Sequence, residues 1–133
     1  MIPQKFWNVI EGIAEAKVPG NWFFTGSIGM ALEGMPHKFK PKDIDIAVDK
    51  KTLQRFRKTF GQQGKQTADS VRFKIDQTTI ELCLKSDNYK FFKRVKKQNG
   101  INTLSLQDQT KRYEQAGNQQ KADKIKKLLK KQP

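Results

Sequence analysis

The sequence predicts an α/β (α+β) fold: a small mixed β-sheet with helices packed on one face, followed by a C-terminal helical pair. Three observations predict it. Segments with apolar residues three and four apart interleave with segments in which charged and apolar residues alternate, so helices and strands share one chain. The 133 residues, 35% hydrophobic and 30% charged, suit one unit over 1–133 with a core of modest size. The alternating segments end near residue 84, and about 88–131 reads as a basic helical part.

Each element has its own signal. Phe6, Ile10, Ile13 and Ala14 recur at helical spacing, with Trp7 beside them, so 3–16 reads as an amphipathic helix. Pro19-Gly20-Asn21 breaks it. Trp22-Phe23-Phe24 is too short for a helix and reads as a buried strand running into Thr25-Gly26-Ser27. Ile28 to Leu32 predict one or two helical turns, ended by Gly34 and Pro36. Residues 35–42 form a basic loop containing prolines. From Asp43 to Val48 acids and apolar residues alternate, the period of a strand. Leu53, Phe56 and Phe60 predict a helix over 51–60 with Asp49 as its N-cap, and Gly61 to Gly64 a turn.

Val71, Phe73 and Ile75 alternate with Arg72 and Lys74, and a second alternating run covers Thr79 to Leu84. Asp76-Gln77 lies between them, which predicts a hairpin. Ile80, Leu82 and Leu84 share one face of its second strand; Thr79, Glu81 and Cys83 share the other. Beyond it, Tyr89, Phe92 and Val95 mark one helix. Ser105 with Asp108 reads as a capping box opening the next, which stops near Gly117. Ala122, Ile125, Leu128 and Leu129 line a last helix.

Composition narrows the chemistry. No apolar run approaches the roughly 18 residues of a membrane span, and the opening Met1-Ile2-Pro3 is unlike a signal peptide, so a soluble, cytoplasmic protein without a membrane partner is expected. Cys83 is the sole cysteine and His37 the sole histidine. That excludes a zinc site built on several His and Cys ligands, and leaves carboxylates, lysines and a borrowed ion to carry any catalysis. His37 reads as a loop residue, Cys83 as structural, and the Tyr89, Phe91, Phe92 cluster as core. The formal net charge is +14. Residues 1–84 hold 13 Lys/Arg against 9 Asp/Glu, while 85–133 hold 14 against 4. So basic a C-terminal part suggests a polyanionic partner, RNA first among them, with a solvated lysine-rich helix surface as the alternative.

The informative constellation is Thr25-Gly26-Ser27 followed by Asp43-Ile44-Asp45. Gly26-Ser27 sits between a strand and a helix start, where backbone N–H groups and a hydroxyl grip phosphate and the missing Cβ admits it closely. Asp43 and Asp45 project from one strand face about 6.6 Å apart. Carboxylates so close repel or partly protonate, and a magnesium ion between them removes that cost. Glu81 is a lone acid in an apolar strand. If that strand lies beside the aspartates it completes a two-metal site; otherwise it is an exposed residue paired with Arg72 or Lys74 across the hairpin. Lys38, Lys40 and Lys42, just ahead of the acids, are candidate contacts to phosphate or an acceptor, or else face solvent.

These residues resemble the signature of the DNA polymerase β-like nucleotidyltransferase superfamily, above all its small stand-alone prokaryotic members. Thr25-Gly26-Ser27, Ala31-Leu32, Gly34 and Pro36, then Asp43-Ile44-Asp45-Ile46, are similar to their motif. Leu104-Ser105-Leu106, Tyr113, Gly117, Lys121-Ala122 and Ile125 resemble their C-terminal helical pair. The resemblance implies a nucleotidyltransferase fold with residues 1–84 as catalytic core. Gly26 and Ser27 would bind a nucleoside triphosphate, Asp43 and Asp45 would bind Mg2+ or Mn2+, and Glu81 would be the third metal ligand or the general base. It implies transfer of a nucleoside monophosphate to a hydroxyl on an RNA end such as tRNA, a partner protein or a small molecule, releasing pyrophosphate. The alternative is a non-catalytic module of that fold, acting as an antitoxin-type or RNA-binding partner.

Overall fold

Apolar residues at intervals of three and four give helix α1 (Gln4–Ala16) one buried face, made of Phe6, Val9, Ile10, Ile13 and Ala14. The computed structural model describes residues 2–35, 41–60, 64–67, 69–84 and 89–130. Strand β1 (Trp22–Thr25) is buried throughout and runs directly into helix α2 (Gly26–Leu32). Strand β2 (Ile44–Val48) and helix α3 (Lys50–Phe60) follow. Asp49 caps α3 as expected: its Oδ1 accepts the Thr52 N–H at 2.8 Å and its Oδ2 accepts from Asn21 at 3.1 Å. Burial opposes ionisation there, but those hydrogen bonds outweigh it and hold the carboxyl below its usual range.

A two-residue strand β3 (Lys65–Gln66) precedes the expected hairpin, β4 (Ser70–Ile75) and β5 (Thr78–Cys83), turned at Asp76-Gln77 with positive φ at both residues. The five strands form one sheet in the order β1-β2-β5-β4-β3. Only the β2–β5 pairing is parallel; the others are antiparallel. Strand periodicity divides the sheet into two faces. Trp22, Phe24, Ile44, Ile46, Val71, Phe73, Ile80 and Leu82 pack against α1 and against Leu53 and Phe56 of α3. Each such fully buried side chain contributes about 1.5–3 kcal/mol. The opposite face carries Phe23, Thr25, Asp45, Ala47, Glu81 and Cys83. At one end of it Phe91 and Leu104 pack on Phe23 and Ala47.

The segment after residue 88 corrects one expectation. Tyr89, Phe92 and Val95 do not mark an α-helix; 3-10 turns at 89–90 and Phe92–Arg94 lead into a hairpin, β6 (Lys96–Gln98) and β7 (Ile101–Thr103). Its turn is Asn99-Gly100, with φ of 53° and 80°, the left-handed pair that a two-residue hairpin turn demands. Gly100 also lies against α1, where a Cβ would stand 2.6 Å from the Ala14 carbonyl oxygen. The chain closes with helices α4 (Leu106–Gln115) and α5 (Gln119–Lys130), the expected pair. Ser105 caps α4 by accepting the Asp108 N–H at 3.1 Å. Tyr113, Ala122 and Ile125 join the two helices to Met30 of α2 and to Met35 just beyond it. No helix among the described residues is long and apolar enough to cross a membrane.

Candidate active site

Alternation along β2 turns Asp45 onto the face of the sheet opposite α1, and the register decides its neighbours. Thr25 lies opposite it on β1 and Glu81 opposite it on β5. Asp43, two residues earlier, enters the same cleft, a cavity of about 370 Å³. Burial first, then the charges of Glu81 and Asp43, push the Asp45 carboxyl up to about 6, although Lys121 and Arg72 draw it the other way. Gly26 begins α2 at φ +63°, and a Cβ there would fall on Oδ2 of Asp45. Glycine is therefore required at that turn both by backbone conformation and by the acid behind it.

Glu81 reaches the cleft, where its charge acts on Asp45, but its carboxylate is held by Arg72. Arg72, its cross-strand partner on β4, grips Oε2 through Nη2 at 2.7 Å and through Nε at 2.8 Å. The arginine side chain is 59% exposed and the glutamate 20%, so the pair lies on the cleft rim. Cys83 stands on the same face, its Sγ 3.7 Å from the other Glu81 carboxylate oxygen. Among the described residues no group of three or more His, Cys, Asp or Glu is gathered to hold a metal ion. Asp43, Asp45 and Glu81 thus share one cleft without converging on one point.

Ser27 occupies the first turn of α2, half-buried, and is not part of the cleft wall. Lys42 is exposed just ahead of Asp43. Lys38 and Lys40, with His37, lie outside the described residues.

The opposite wall comes from the C-terminal helices, and residue-by-residue reading of the sequence missed most of it. Arg112 of α4 is buried and donates from Nη1 to the Thr25 hydroxyl at 2.9 Å. Tyr113 beside it is pushed up by burial, with Thr25 and the Gly26 backbone as hydrogen-bonding neighbours. Lys121, whose backbone N–H is capped by Asn118, holds its Nζ 5.2 Å from the centre of the Tyr113 ring and faces the cleft. A signal existed: Asp108, Gln109 and Arg112 repeat at helical spacing, a polar stripe where a core-facing helix carries apolar residues. Gln109 uses that position to donate to the carbonyls of Gly29 and Leu104, at 3.1 and 2.8 Å.

A mixed sheet with Asp43 and Asp45 leading its parallel pair, and a glycine strand-to-helix turn beside them, defines a protein of the nucleotidyltransferase class. More narrowly, the chain belongs to the aminoglycoside-2''-adenylyltransferase family, whose pattern matches residues 7–86. The fold is similar to that of a candidate nucleotidyltransferase from Thermotoga maritima, solved by crystallography. That protein is 23% identical, with a TM-score of 0.71 over 99% of this chain and 97% of that one. A Helicobacter pylori protein of known structure is 14% identical over 84% of this chain and 56% of that one, with a TM-score of 0.44. No curated protein matches the chain.

Proposed function

We propose that the chain is a magnesium-dependent nucleotidyltransferase that moves a nucleoside monophosphate from a triphosphate to a hydroxyl acceptor and releases pyrophosphate. Asp45 carries the assignment: an acid disfavoured in its charged form by burial, Glu81 and Asp43, in a cleft edged by Gly26, Arg72 and Lys121. Those charges fit a divalent ion, Mg2+ or Mn2+, because a cation between Asp43 and Asp45 offsets the burial and the like charges that together raise Asp45. When bound, the ion supplies charge neutralisation at the transferring phosphoryl group.

The protein's own residues do the rest. Gly26 leaves room for a phosphate against the turn, where the first N–H groups of α2 would meet it. Lys121 and Arg72 supply positive charge for the pyrophosphate. The acceptor oxygen bonds to the α-phosphorus as the bond to the β-phosphate oxygen breaks, and Glu81, once parted from Arg72, takes the hydroxyl proton. The acceptors to try are an RNA end, a protein side chain and, on the family's name, an aminoglycoside.

Calorimetry or thermal shift with ATP and magnesium is the test of binding. Wild type should respond and an Asp43→Asn/Asp45→Asn variant should not; equal responses would sink the assignment. The Arg72–Glu81 ion pair favours a second reading, a non-catalytic module that binds nucleotide without turning it over. Asp45-dependent transfer of label from a triphosphate to any acceptor eliminates that reading.

A further inference from the structure

We propose that the segment 89–97 is a docking surface for a single-stranded polynucleotide, with Tyr89 as its base-stacking residue. This goes beyond the transferase reading and stands whether or not the cleft turns over.

Tyr89 is 53% exposed, the one large hydrophobic side chain left open among the described residues. It is nevertheless held in place. Its ring meets Phe92 edge-on at 5.7 Å, and Phe92 meets buried Phe23 at 5.8 Å, so a ladder of aromatics backs it from the core. A rigid aromatic with an open face offers any base a stacking partner without selecting among bases.

Charge supplies the second half. Five cations, Lys90, Lys93, Arg94, Lys96 and Lys97, occur between 89 and 97 with no acid, and all are exposed. Arg94 is paired with Asp108 and Lys96 with Glu33. Among the described residues Lys90, Lys93 and Lys97 enter no ion pair. Unneutralised lysines around an exposed ring match alternating phosphates and bases, whereas an apolar protein partner would meet uncompensated charge. Phe91 packs on Phe23 and Ala47, each two residues along its strand from Thr25 and Asp45, so the surface lies about 7 Å further along the acid-bearing face.

The test is fluorescence anisotropy with labelled single-stranded RNA and DNA of about 12 nucleotides, titrated across salt. Tyr89→Ala should weaken binding roughly five- to a hundredfold, and Tyr89→Phe should restore it. Lys90→Gln/Lys93→Gln should flatten the slope of log affinity against log salt by about 1–1.5. Asp45→Asn should leave binding unchanged, which separates this surface from the nucleotide cleft. A preference between RNA and DNA identifies the strand taken. The proposal is overturned if Tyr89→Ala binds as wild type, if duplex binds as well as single strand, or if Asp45→Asn abolishes binding. Absence of any strand binding also overturns it and leaves the patch to a partner protein.

Discussion

Two residues of the cleft, Gly26 and Asp45, each make a distinct prediction. Gly26→Ala places a Cβ on the Asp45 carboxylate at a backbone conformation L-residues avoid. It should cost on the order of 1–2 kcal/mol of stability and abolish the magnesium-dependent nucleotide response, read by thermal melting and calorimetry. Asp45 predicts a pH dependence. Its folded pKa of about 6 lies above the ordinary 3.8, so between those values the native state binds more protons than the unfolded one. Stability from this group therefore falls as pH rises through that window and stays low above it. In EDTA at pH 7.5, Asp45→Asn should raise stability by on the order of 1 kcal/mol, roughly 3–5 °C in melting temperature, and the gain should vanish near pH 4. If Asp45→Asn lowers the melting point at pH 7.5, the carboxylate is better accommodated than its neighbours imply. Gly26, Asp43 and Asp45 were legible in the sequence because period-two alternation alone puts both acids on one face. The engagement of Glu81 was not: the two registers around β5 set it beside Asp45 on one side and Arg72 on the other, and its grip by Arg72 is side-chain geometry that spacing does not carry.

At the scale of elements, most boundaries follow from periodicity, and the exception has a physical cause. β6 buries none of its residues, so Lys96-Lys97-Gln98 shows no alternation of apolar and polar side chains. The strand is specified instead by its turn, Asn99-Gly100, and by the contact of that turn with α1. The β4–β5 hairpin presents the reverse case: strong alternation joined by a turn with the wrong chemistry. Gln77 holds φ 69° without being glycine or asparagine. Gln77→Gly creates an Asp-Gly turn and should stabilise the protein by about 1 kcal/mol, visible as a higher urea midpoint with unchanged m-value. A decrease would mean that the Gln77 side chain makes a contact worth more than the strain it relieves.

For the whole molecule, polar contacts help join the part after residue 88 to the rest: Arg112 of α4 to Thr25 of β1, Gln109 of α4 to Gly29 of α2, and Asn102 of β7 to the Trp22 carbonyl at 3.2 Å. This is why the far wall of the cleft was hard to read, since helix-packing rules look for apolar stripes. Arg112→Ala should cost about 1.5–3 kcal/mol in urea denaturation and weaken nucleotide binding together with stability. Unchanged stability would show that the helical pair docks without that arginine. The position of the acids within the sheet has a further bearing on how the protein fails. β2 and β5 are interior strands, each paired on both sides, so their amides should exchange with solvent only when the entire fold opens, whereas those of β6 exchange through local fraying. Damage elsewhere in the chain would then act by subtraction: fewer molecules hold the acid pair, but each that does is fully competent. Thermal inactivation should accordingly lower the number of working sites while leaving the affinity of the survivors unaltered.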